Sequence, residues 1–279
     1  MDKKRTFATL LKISMKNFFA FIVILAVLTS CGPYQKALKS TDPEVKLGVI
    51  DTLLSQEKYS KAVSLFEQIV PVYRGTDKAE GLAIKYAKAL FETRDFPNSA
   101  YQYERFVNSH PKSEDREFAL FMAAKSHYEM SNVYSRDQRD TKKAMAKIQD
   151  YIDIYPSGKY ATESNAMISE LRLKLDRKAY EIAKNYHHRE KFIPALATFE
   201  NFISDHPGSE FLDDAQFYML DSQYRYAIKS TVELVPERLQ KAKELYDTFV
   251  SRYPDSEYLK DAEKIKDKIE NFKLEPQIN

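Results

Sequence analysis

Four times along this chain an aromatic residue stands five positions before a proline: Phe106 and Pro111, Tyr151 and Pro156, Phe202 and Pro207, Phe249 and Pro254. A small residue lies seven before each aromatic and a larger one three before it. These are Ser99 and Tyr103, Ala144 and Ile148, Ala195 and Phe199, Ala242 and Tyr246. An earlier unit, Ala62, Phe66 and Ile69, keeps the first three places but runs into Val70-Pro71-Val72-Tyr73. Positions 0, +4 and +7 share one face of a helix. The small residue admits a neighbouring helix closely, and the larger ones fill the space between helices. Proline at +12 stops the helix, because it lacks an amide donor and restricts the residue before it. The chain has only 6 Gly, and Lys, Glu and Ala are spread throughout. No segment sustains period-two alternation of β-branched residues, so the expected class is all-α.

The pattern resembles the tetratricopeptide repeat, a helix–turn–helix unit of 34 residues. The expected architecture is a solenoid of about five helix pairs. Successive small residues (62, 99, 144, 195, 242) are 37, 45, 51 and 47 apart, which implies longer helices or inserted turns such as 136–140 and 234–236. Asp42 is expected to cap a first helix from Pro43 to about Ser55. Pairs are then expected at 58–70 and 76–93, 96–109 and 114–132, 141–154 and 159–187, 190–204 and 210–230, and 236–252 and 256–272. Ser113, Ser209 and Ser256 are read as N-caps. In the last helix Tyr258, Ala262, Ile265, Ile269 and Phe272 share a face, as in a cap that closes a stack.

The N-terminus carries a separate signal. Lys3, Lys4 and Arg5 precede an uncharged apolar run from Phe18 to Leu28, and Leu28-Thr29-Ser30-Cys31-Gly32 follows. A basic head, a short apolar segment and small residues make a secretory signal, too short to span a bilayer. Leu-Thr-Ser-Cys resembles the lipobox of bacterial lipoproteins, in which the cysteine sulfur receives a diacylglycerol and the chain is cut before it. Cys31 is the only cysteine, so no internal disulfide competes for it. Residues 1–30 are thus expected to be a signal peptide, 31–41 a lipidated tether reaching roughly 36–40 Å when extended, 42–155 and 156–272 N- and C-terminal repeats, and 273–279 a tail. Five of the 43 basic residues and one of the 41 acidic ones fall in residues 1–30. The remainder, 38 basic against 40 acidic, offers no basic block for nucleic acid.

Neither a nucleophile elbow nor a phosphate loop is present in the sequence. His110 and His206 occupy the repeat place of Tyr155 and Tyr253, which is the mark of a packing position. His187 and His188 are adjacent and diverge by about 100° on a helix, with no third ligand evident. His127 stands alone. No enzyme, cofactor, metal site or small-molecule substrate is expected. What remains is surface, and Tyr86, Tyr128, Tyr218 and Tyr224 are candidate partner contacts on the helix faces.

Lipobox, length and repeat phase together resemble the outer-membrane assembly lipoproteins of the BamD family, in their bacteroidete-like form. The residues carrying the likeness are Cys31-Gly-Pro-Tyr-Gln-Lys-Ala-Leu-Lys-Ser-Thr-Asp-Pro-Glu44 and the repeat from Tyr86 to Phe106. The resemblance implies a lipid-anchored protein on the periplasmic face of the outer membrane. It implies two kinds of partner: unfolded barrel substrates, met by residues 43–155, and the periplasmic domains of a BamA-like barrel subunit, met by 190–272. Two alternatives stay open: a repeat lipoprotein serving cell-wall or division machinery, and a glycan-handling hydrolase built from scattered acids.

Overall fold

A computed structural model describes residues 32–273. Residues 1–31, where a signal peptide and a lipidated Cys31 are expected, and the tail from residue 274 lie outside the described residues. Those described are all-α, and the chain divides into two compact units, the first ending at Glu129 and the second beginning at Met130. The first holds α1 (Pro33–Lys39), α2 (Pro43–Ser55), α3 (Tyr59–Ile69), α4 (Ala79–Glu92), α5 (Phe96–Ser109) and α6 (Arg116–Glu129). The second holds α7 (Arg139–Ile154), α8 (Ala161–His188), α9 (Phe192–Asp205), α10 (Leu212–Ile228), α11 (Val235–Arg252) and α12 (Leu259–Glu270). Within each unit successive helices pack side by side. The division between the units falls at 129/130.

The repeating face becomes the core. Ala62, Ser99, Ala144, Ala195 and Ala242 are all 0% exposed, as are Phe66, Tyr103, Ile148 and Phe199. Only Tyr246 of the larger set is half-buried. The four helices with the aromatic–proline stop end alike. Their last residues, His110, Tyr155, His206 and Tyr253, lie at φ between −125° and −132° and ψ between 56° and 64°. The following proline bars them from the helical region. Each of these rings then lies against the aromatic four residues earlier, at centroid distances of 4.7 Å for Phe106–His110 and 5.0 Å for Phe202–His206.

Three expectations are corrected. First, the helix pairs begin one helix earlier. The tight turns are Gln56–Lys58, Thr93–Asp95 and Arg189–Lys191, each leading into a helix with the small–large–aromatic face. Each needs one residue in the left-handed region: Glu57 (φ 54), Arg94 (φ 62) and Glu190 (φ 56). The proline-bearing connections are longer and join one hairpin to the next. Second, the serines do not cap helices. Oγ of Ser113, Ser209 and Ser256 accepts the amide two residues on, at 3.1, 3.3 and 3.3 Å. They hold a turn, and the helices start at Arg116, Leu212 and Leu259. Third, the tether is largely helix. Residues Pro33–Lys39 form α1, and Ala37 is fully buried in a cluster with Ile50, Leu65 and Phe66.

Other expectations hold. Asp42 caps α2 by accepting the Glu44 amide at 2.9 Å. The inserted turn before α7 is closed by Gln138, whose amide nitrogen lies 2.9 and 3.0 Å from the Val133 and Arg136 carbonyls. The turn at 234 is a short 3-10 helix, Val232–Leu234, leading into α11. Ala262 and Ile265 of α12 are buried against α10 and α11, as a terminal helix requires.

The left-handed turn residues give a direct prediction. An L-residue there costs about 1–2 kcal/mol, which glycine avoids apart from its larger loss of chain entropy. Arg94→Gly is therefore expected to stabilise the protein by about 0.5–1 kcal/mol. A rise in urea midpoint at unchanged slope would show it, and a fall would refute it.

Candidate binding surface

In the second unit α10 lies between α8 and α12 and touches both. The long α8 supplies Tyr180, Lys184 and His187, α10 supplies Asp214, Tyr218 and Asp221, and Tyr258 stands at the N-cap of α12. The hydroxyls of Tyr180 and Tyr258 both donate to Asp214 Oδ1, at 3.1 and 2.7 Å. Burial, with the neighbouring Asp214 carboxylate, raises both phenols far above their ordinary range. Both therefore stay protonated donors. Lys184 Nζ sits 5.1 Å over the Tyr180 ring and 4.7 Å over Tyr218, a cation–π pair shared by two rings.

His187 is buried beneath this row. Its Nδ1 is 2.9 Å from Ser222 Oγ, which donates its own proton to the Tyr218 carbonyl. Nδ1 therefore carries the ring hydrogen, and Nε2 faces Asp221 at 3.3 Å. Burial, with Arg225, His188 and Lys184 close by, outweighs the pull of Glu190 and holds the imidazole down to about 4. A group depressed in the folded state binds its proton more weakly there than when unfolded. Stability is then complete above the ordinary value of about 6.5 and falls as pH drops from there toward 4. His187→Gln is expected to flatten that part of the melting profile. Equal slopes for the two proteins between pH 6.5 and 4 would dismiss His187 as the cause.

Next to this row Glu190, the left-handed residue of the α8–α9 turn, is held by Arg225 at 3.0 Å and Lys229 at 2.6 Å. Both cations also lie over the Phe192 ring, at 5.4 and 5.5 Å. This clamp was invisible in sequence, where Glu190 and Arg225 are 35 residues apart. The usable signal was the turn itself: a charged residue two before an aromatic, repeated at Glu57/Tyr59, Arg94/Phe96 and Glu190/Phe192.

The four candidate tyrosines fare differently. Tyr218 and Tyr224 are half-buried, and both pack on the cluster around Phe217 and Phe249. Tyr128 is half-buried near the end of α6. Tyr86 is 9% exposed and lies 5.6 Å from the Phe66 ring, which leaves little of it for a partner. Cys31 lies outside the described residues. Among those described, no three His, Cys, Asp or Glu side chains are grouped to hold a metal ion. No described helix is long and apolar enough to cross a membrane. What this row leaves for contact is the half-buried rings of Tyr218 and Tyr258 and the Lys184 cation, since the Tyr180 ring is buried and both hydroxyls are spent on Asp214.

Known proteins bear on this geometry. The family model YfiO, described as outer membrane lipoprotein, matches residues 50–233, more than half of the chain. The outer membrane protein assembly factor BamD of Rickettsia prowazekii is 25% identical over 210 residues, covering 74% of this chain and 83% of its own. That of Pasteurella multocida is 21% identical, covering 69% of this chain and 78% of its own. Among solved structures, a TPR repeats protein from Bacteroides fragilis aligns over 83% of this chain and 99% of its own, at 10% identity and a TM-score of 0.40. On the match that spans both units' repeats, the chain belongs to the YfiO/BamD family of outer membrane lipoproteins.

Proposed function

We propose that this protein is a lipid-anchored scaffold that assists the assembly of β-barrel proteins in the outer membrane. It works from the periplasmic face and without catalysis. The supporting observation is the family match over 50–233, joined to relatives that are outer membrane protein assembly factors. In this scheme the lipid on Cys31 confines the protein to the membrane surface. Confinement raises the effective concentration of barrel precursors where insertion occurs. The first unit receives unfolded barrel substrates, and the second docks on the periplasmic domains of a BamA-like subunit. The half-buried rings of Tyr218 and Tyr258 and the Lys184 ammonium suit such docking, because the bonds to Asp214 and the shared cation–π pair hold them in place before a partner arrives.

Depletion of the protein is the test. Outer-membrane barrels are expected to fall while periplasmic proteins and inner-membrane proteins hold steady. Crosslinking in envelopes is expected to capture a barrel subunit with periplasmic domains. Unchanged barrel levels, or capture of wall synthases instead, would defeat the proposal.

A further inference from the structure

The first unit contains a cavity of about 220 Å³ between the end of α3, the start of α4 and the end of α5. One side is apolar, with Val70, Ala83 and Phe106; the other carries Arg74, Arg105 and His110. No acidic side chain lines it. The His110 Nδ1 is buried without a hydrogen-bond partner. Glu80, next in sequence to the lining residue Ala79, is engaged elsewhere, accepting from Ser113 Oγ.

The second unit provides an internal comparison. Its cavity of about 460 Å³ is lined by Leu175, Ala179 and His206, each 96 residues after Ala79, Ala83 and His110. The two cavities share these three repeat places; Val70, Arg74 and Gly75 complete the first, and Asp137, Gln138, Arg139 and Lys142 the second. In the second the histidine and one arginine are answered by acids, while Lys142 and Lys178 also line the space. His206 Nδ1 meets Asp176 at 2.7 Å, and Arg139 meets Asp137 at 3.1 Å. Asp176 stands 96 residues after Glu80, the carboxylate that Ser113 holds in the first unit. At this repeat place the fold can therefore answer the histidine with its own acid. In the first unit two arginines, a histidine and apolar side chains line the cavity, with no acid among them and His110 Nδ1 unpartnered.

From this comparison we infer that the first-unit cavity is a binding site for a phosphate monoester. Two guanidinium charges with no acid in the lining match a dianion better than a carboxylate. Three donors match the three free oxygens of a monoester, and guanidinium forks suit that geometry. The apolar wall would hold the ester's organic group. The site stands independently of the proposed role in barrel assembly, since it is measured on the purified protein.

Glycerol 3-phosphate titrated into the full chain is expected to shift the His110 ring resonances saturably. Arg105→Gln and Arg74→Gln are each expected to weaken binding by roughly tenfold or more. Arg105→Lys should retain part of it, and Arg139→Gln in the sister cavity should leave it unchanged. Vesicles of phosphatidylcholine with and without phosphatidic acid separate the sources. Capture that needs phosphatidic acid and Arg105 assigns a lipid headgroup; glycerol 3-phosphate binding without vesicle capture assigns a soluble ester. No saturable shift, an undiminished shift in folded Arg105→Gln, or equally tight binding of 3-methylbutanoate would overturn the inference.

Discussion

Replacing Phe199 by alanine is expected to destabilise the second unit by about 3–5 kcal/mol, the range for truncating a fully buried phenylalanine. Phe199 is 0% exposed, and it sits at the +4 place of its repeat between Ala195 and Phe202, with Tyr180 and Ala215 in the same cluster. Its ring also stacks near Tyr218, at 6.5 Å and 10° between planes. Truncation removes the transfer energy of the ring and leaves a void that two packed neighbouring helices cannot close. Since whole domains are stable by only about 5–15 kcal/mol, this one change takes a large share. Tyr246→Ala, at the same place two helices on, is expected to cost less, because Tyr246 is only half-buried. Denaturant unfolding of both variants checks the pair. A loss below about 1 kcal/mol for Phe199→Ala would contradict the packing role assigned to the +4 position. The converse substitution, Ala195→Leu, should also destabilise, by about 1–3 kcal/mol, since Ala195 is 0% exposed and has no space to grow.

The second large effect concerns location. Cys31→Ser is expected to move the protein from the membrane fraction to the soluble one. Each acyl methylene contributes about 0.8 kcal/mol, and two or more chains make the attachment stable. No described helix could replace that anchor by spanning the bilayer. Mass measurement of the native mature protein gives an independent reading: it is expected to begin at Cys31 and to carry lipid. An unmodified Cys31, or a serine variant that stays with the membrane after an alkaline wash, would remove the anchor from the account. α1 sharpens the consequence. Because Ala37 is buried against α2 and α3, only Gly32 separates Cys31 from a docked helix. The first unit would then sit against the leaflet instead of floating on an eleven-residue leash.

The helices were legible because their cause is local. Small–large–aromatic spacing fixes which face is buried, and the following proline fixes where the helix ends. Both can be read within thirteen residues, such as Ser99 to Pro111. The pairing of helices was misread because the strongest motif sits on the second helix of each hairpin. In three of the hairpins the turn is only three residues, and at its left-handed position it carries Glu57, Arg94 or Glu190 instead of the expected glycine. A tolerated cost at one backbone position left no mark on composition.

The candidate surface was far less legible. Tyr218 could be named from spacing, but the lysine over its ring comes from 34 residues earlier, and the carboxylate that joins Tyr180 to Tyr258 belongs to Asp214 on a third helix. Likewise His110 and His206 look identical in sequence, each following an aromatic by four residues and preceding a proline. One meets Asp176 and the other meets nothing at Nδ1.

Sequence alone determined that the chain is helical, where most helices stop, which side chains fill the interior, and that Cys31 ends a string resembling a lipobox. Those properties depend on contacts within a turn or two of helix and on short linear signals. The tertiary structure alone decided which charges are answered and which are left facing space, because an ion pair or a cavity is made by residues thirty or more positions apart. Their meeting depends on how neighbouring helices rotate against one another, and no local periodicity encodes that rotation.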